Sequence, residues 1–301
     1  MYINKLSPLV MFFVFLIVCQ PGGTGNKLAD LEKAVAENPT AEATQQLLGM
    51  YQSVLQDTEK DATAKAETVG KLAQLQLKNN QVQDAIQTLK SGISTYYAAP
   101  ATASNLWSLG QIFKDRVKSA PVGNTINKLY VKQFPTGAQA NAAKQALAQD
   151  ATSISAHLDS LGSKMYNEET HRLDTKAAGD FIESCELFAL LQPEDPQSPD
   201  YLHKAGETAR AIRAFPRAIG IYDRIYAKYP QFEKAPQALF LKAFTYDNDL
   251  KDFAKARTLY TEFLEKFPND DFADDTQFLL KNLGKSDEEI IQSFGGEKKA
   301  N

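Results

Sequence analysis

Three histidines, two cysteines and a few clustered aspartates are the residues through which this chain could hold a metal or activate a nucleophile. His157, His171 and His203 lie far apart, and none forms the His-x3-His or His-Glu-x2-His spacing that puts two ligands on one helix face. His171, within Glu168-Glu169-Thr170-His171-Arg172-Leu173-Asp174, reads as a solvated helix-turn region. Asp247-Asn248-Asp249 has the opening of a calcium loop. The following Gly is missing, Lys251 and Phe253 intervene, and Thr258 stands where the distal Glu belongs, so the segment reads as a turn between helices. No Gly-x-Ser-x-Gly elbow occurs, and Pro21-Gly22-Gly23-Thr24-Gly25 lacks the Lys-Ser/Thr of a phosphate loop. Cys185 sits among Phe181, Ile182, Leu187 and Phe188, the setting of a buried thiol. The expectation is a chain without catalytic residues, metal or cofactor.

The other cysteine has a different setting. Lys5 precedes a ten-residue apolar run, Leu9 to Val18, the length of a signal-peptide core and too short to cross a bilayer as a helix. The run ends Leu16-Ile17-Val18-Cys19 and is followed by the Gly-rich Gln20 to Asn26. This order resembles a bacterial lipoprotein signal, although Val18 stands where a small residue is usual. The resemblance implies that residues 1–18 are removed, that Cys19 is acylated, and that residues 19–27 are a flexible tether. Multiple acyl chains would fix the chain at a membrane. Gln20 after the Cys points, by the same resemblance, to the outer membrane.

Lys and Arg number 33 against 37 Asp and Glu, and no basic run occurs, so the chain lacks the electrostatic footprint of a nucleic-acid binder. Apolar residues make up 43%, enough for a sizeable core.

The elements that must position any site are helices. Windows such as Asp84 to Leu89 and Ala254 to Leu264 carry apolar residues three and four apart, and breaks fall at Asn38-Pro39, Asn79-Asn80, Ala99-Pro100, Pro135-Thr136-Gly137, Pro193 to Pro199, Pro230 and Pro268. Two blocks match at an interval of 38 residues: Ala218 with Ala256, Tyr222 with Tyr260, Ile225 with Phe263 and Pro230 with Pro268. Small residues let helices cross closely, large ones fill the spaces beside them, and proline ends the second helix. The aromatic stripe Tyr222, Tyr226, Tyr229, Tyr260, Phe263 and Phe267 therefore reads as core packing. Asp270, Asp271, Asp274 and Asp275 read as charge at a helix start.

These spacings resemble the tetratricopeptide repeat. Leu239, Lys242, Ala243 and Tyr246 resemble its first helix, and Leu106-x2-Leu109-Gly110 and Leu158-x2-Leu161-Gly162 read as diverged first helices. The resemblance implies an all-α fold of helix-turn-helix repeats stacked in a right-handed superhelix. Five to six pairs are expected over residues 40–284, divided into diverged repeats at 28–192 and clear repeats at 193–284, with a capping helix and frayed tail at 285–301.

With the Cys19 signal, the chain resembles bacterial envelope tetratricopeptide lipoproteins, particularly the D component of the outer-membrane barrel-assembly machinery and the Tol-Pal coordinator family. That likeness implies a non-catalytic adaptor on the periplasmic face of the outer membrane, holding other envelope proteins or extended peptides. Its groove would lie on the first helices, around Trp107, Gln111, Phe244 and Thr245. A surface lipoprotein that captures glycan is the alternative, disfavoured by a single Trp.

Overall fold

The computed structural model describes residues 24–169, 172–286 and 288–292. Cys19, the apolar segment before it, His171 and the tail 293–301 lie outside the described residues. The fold is all-α, and the chain divides between Asp57 and Thr58 into two compact units.

The first unit holds α1 (Thr24–Glu37) and α2 (Ala41–Gln56). Leu28, Leu31 and Val35 recur at helical spacing, so α1 begins at Thr24, inside the stretch expected to be tether. Thr40 caps α2 by accepting from the Ala43 N–H at 3.2 Å, and the Tyr51 hydroxyl donates to Glu32 at 2.9 Å.

The second unit runs through α3 (Ala62–Lys78), α4 (Val82–Thr95), α5 (Ala101–Ile112), α6 (Ala120–Gln133), α7 (Ala140–Ala146), α8 (Ile154–Lys164) and α9 (Thr175–Leu191). It continues through α10 (Ser198–Ala211), α11 (Phe215–Lys228), α12 (Ala235–Phe244), α13 (Phe253–Lys266) and α14 (Ala273–Asn282). Most consecutive helices pack against each other, the exception being α7 and α8, which both pack on α6. One correction to the sequence reading follows. The segment after Met165 forms a short antiparallel ribbon, β1 (Tyr166–Asn167) with β2 (Arg172–Leu173), where no strand was expected. The Pro193 to Pro199 segment does not separate compact units, because α9 and α10 pack along each other across it.

Pairing depends on the small residues. A Cβ on Gly206 would lie 2.6 Å from the Tyr222 ring, and one on Gly110 would lie 3.1 Å from Ile126. Ala218, Ala243 and Ala256 are completely buried, and Tyr222, Ile225, Tyr260 and Phe263 fill the gaps beside them, while Pro230 and Pro268 remain exposed just beyond their helices. Gly162 on α8 sits 3.3 Å from Phe181 by the same measure.

A longer period underlies the shorter one. Helices α4 and α11, and likewise α6 and α13, begin and end at positions 133 apart. The left-handed residues Asn80 and Lys118 correspond at the same offset to Arg213 and Lys251. So do the N-caps Ser119 and Asp252, and the helix ends Tyr96 and Tyr229. The block α3 to α7 is thus repeated as α10 to α14, with α8, β1, β2 and α9 between the copies.

Within each copy the two helix hairpins turn differently. Twelve residues separate Ala73 from Ala85 and Gly206 from Ala218, and the chain turns by Gln81 N–H to Gln76 C=O and Ala214 N–H to Ala209 C=O, both 2.8 Å. Thirteen separate Gly110 from Gly123 and Ala243 from Ala256. There the extra residue is wound into a π-helical turn, Phe113–Val117 or Thr245–Asp249, closed by Ser119 N–H to Phe113 C=O and Asp252 N–H to Tyr246 C=O. The Asp247 segment read as a simple turn is this second π turn.

Candidate functional site

A cavity of about 530 Å³ lies on α4, α9 and α11. Helix α9 explains its position. Asp174 caps it, accepting from the Lys176 and Ala177 N–H groups at 2.8 and 3.0 Å, and most of its faces are apolar and buried, as in a central helix. Glu183, Glu186 and Leu190 are spaced to share one stripe, and that stripe floors the cavity. Lys90 reaches it from α4, and Arg217, Arg224 and Lys228 line it from α11.

Glu183 joins the two walls: Lys90 donates to one carboxylate oxygen at 2.7 Å and Arg217 to the other at 2.5 Å. Arg217 also donates through Nε to Glu186 at 2.7 Å, and Arg224 donates to the second Glu186 oxygen at 3.1 Å. The Glu186 side chain is only 8% exposed. Burial alone would raise its pKa, but Arg217, Lys90 and Arg224 outweigh that and hold the carboxyl below its ordinary value, so it is charged. The same carboxylates raise the Arg217 pKa against the effect of its own burial. Four cationic side chains and two carboxylates line the cavity, a formal excess of two positive charges in an acidic chain. Lys228 is exposed and has no ion pair among the described residues.

A second polar cluster has the outline of a nucleophile relay. Asp150 faces His157 Nδ1 at 3.4 Å, His157 Nε2 lies 3.1 Å from the Thr125 hydroxyl, and that hydroxyl lies 2.9 Å from the Ser184 hydroxyl. The Thr152 hydroxyl and Lys128 hold Asp150 down at about 2 against slight desolvation, while burial lowers the His157 pKa. Thr125 and Ser184 are both completely buried, so no substrate reaches them. The cluster ties α6, α8 and α9 together. Cys185 is likewise fully buried, and burial pushes its thiol far up.

The residues expected to form a groove are not gathered into one. Gln111 and Phe244 occupy equivalent positions of the two copies, on α5 and α12. Trp107 packs its edge on Tyr130 at 6.1 Å. Phe244 stacks on Phe240 and carries the Arg210 guanidinium 4.7 Å above its ring. Thr245 is completely buried, its hydroxyl donating to the Leu241 carbonyl at 2.7 Å, so it cannot touch a partner. The charged cavity was not found in the sequence because its residues come from positions 90, 183, 186, 217 and 224, which no local motif joins.

The fold is an all-α stack of paired helices with a charged cavity on its surface. A tetratricopeptide repeat family model matches residues 237–270, which span most of α12, its π turn and α13. A solved structure, the TPR2AB-domain:pHSP90-complex of yeast Sti1, is 14% identical over 85% of this chain and 98% of that one. Its TM-score is 0.32. No curated protein matches the chain.

Proposed function

We propose that this chain is a non-catalytic protein-interaction scaffold, anchored by lipid on Cys19 in a bacterial cell envelope and serving assembly or maintenance of the outer membrane from its periplasmic face. The observation that carries the scaffold reading is the cavity on α4, α9 and α11. It is large, open to solvent, lined by charge, and held by helices from both copies of the repeated block. Repeat stacks present such surfaces on rigid elements and vary them without changing the fold. The envelope reading rests on Leu16-Ile17-Val18-Cys19 and on the resemblance to barrel-assembly and Tol-Pal lipoproteins.

The test is an affinity pull-down of the mature protein from detergent-solubilised envelopes, with metabolic fatty-acid labelling and Cys19→Ala in parallel. Label lost in the variant, with an envelope protein enriched on the wild type, is expected. Absence of label removes the anchor, and absence of any protein partner removes the scaffold.

A further inference from the structure

We propose that the cavity on α4, α9 and α11 takes an extended acidic peptide segment, with Arg224 and Lys228 holding its carboxylates and the hydroxyls of α4 meeting its backbone. This deepens the scaffold reading and rests on it.

Because α4 and α11 are equivalent helices of the two copies, the groove has two walls of the same backbone and different chemistry. Where α11 carries Arg224 and Lys228, α4 carries Ser91 and Thr95 at the matching positions. One wall is cationic and the other is edged by exposed hydroxyls, Ser91, Ser94 and Thr95. The carboxylates on the floor do not repel an anionic guest with their full charge, because Lys90 and Arg217 already neutralise Glu183 and most of Glu186. The excess charge is left on Arg224, which gives one hydrogen bond to Glu186, and on Lys228.

The stripe from Arg217 to Lys228 runs about 16 Å along the helix. That length matches about five residues of extended chain. Hydroxyls and a guanidinium suit peptide backbone and side-chain carboxylates. An acidic glycan would also meet the charge, but sugar rings stack on aromatic faces, and Tyr229 is the one aromatic lining residue.

Fluorescence anisotropy with a labelled short oligoglutamate peptide and the full chain in detergent tests this, with oligoserine, oligolysine and oligogalacturonate as comparisons. Oligoglutamate is expected to bind, more weakly in high salt. Lys228→Glu should weaken it by roughly tenfold or more, about 1.4 kcal/mol. Lys228 makes no ion pair among the described residues, so the variant is expected to keep the wild-type circular dichroism. Ser91→Asp with Ser94→Asp places negative charge on the other wall and should weaken binding too. Equal binding to wild type and both variants would overturn the proposal, as would oligogalacturonate binding in preference to the peptide. If an envelope protein captured by pull-down binds wild type and Lys228→Glu alike, the groove assignment fails while the scaffold reading stands. If nothing is captured, the scaffold reading itself fails.

Discussion

Trp107 and Phe240, 133 residues apart, occupy the same place in two copies of one helical block. Trp107 meets Tyr130 edge-on at 6.1 Å, and Phe240 meets Phe263 edge-on at 6.1 Å. The next contact repeats as well, Tyr130 with Phe134 at 5.5 Å and Phe263 with Phe267 at 5.6 Å. Because the ring geometry matches, double-mutant cycles on the two edge pairs should return similar coupling, about 0.5–1.5 kcal/mol each. Denaturant titration of the Ala variants measures this. Coupling in one copy and none in the other would show that the copies do not pack alike.

Helix crossing at Gly206 leaves no room for a methyl group. Gly206→Ala should cost about 1–3 kcal/mol, because the Tyr222 ring 2.6 Å from the new Cβ is buried in the core. Gly220 lies mid-helix on α11 with nothing within 4 Å of a Cβ, so Gly220→Ala should stabilise by about 0.5–1 kcal/mol. Opposite signs in urea titration are the expected result, and destabilisation by both would contradict it.

The 38-residue period was legible because Tyr222 and Tyr260, and Pro230 and Pro268, keep their types. The 133-residue period was not, because equivalent positions changed residue while conserving role. Ser119 became Asp252 as an N-cap, Gly123 became Ala256 at a crossing, and Asn80 became Arg213 in a left-handed turn. The groove was still harder to read. Its charges are ordinary helix-surface residues in the sequence, and only the fold, which brings α4, α9 and α11 to the edge of one cavity, makes a site of them. Placing the groove on the first helices, around Thr245, followed the family and missed that Thr245 lies inside the π turn facing the core.

Lys118 and Lys251 stand at φ +60 and +56, a region that costs a side chain about 1 kcal/mol and costs glycine almost nothing. Lys118→Gly and Lys251→Gly should each stabilise the chain slightly, by up to about 0.5 kcal/mol after the glycine entropy loss. Thermal melts would show a rise in Tm for each. A fall would mean the lysine side chains contribute more than their backbone strain costs.

Acid should loosen the second unit through His157. Its pKa is lowered by burial, so the unfolded chain takes up the proton first as pH falls below the ordinary value of 6.5. Stability is then full above 6.5 and declines as pH falls toward the folded pKa. Glu186, also lowered, adds a further loss below its ordinary 4.5. His157→Gln should flatten the first part of that profile, and an unchanged slope would contradict the assignment.

The most direct measurement of the central claim is site-specific photo-cross-linking in living cells from Ser94, on the hydroxyl wall of the groove. The account predicts a discrete cross-linked envelope protein that is lost when Lys228→Glu is added. Cross-links from Gln111 or Phe244 with none from Ser94 would contradict it, placing the partner on the first helices instead.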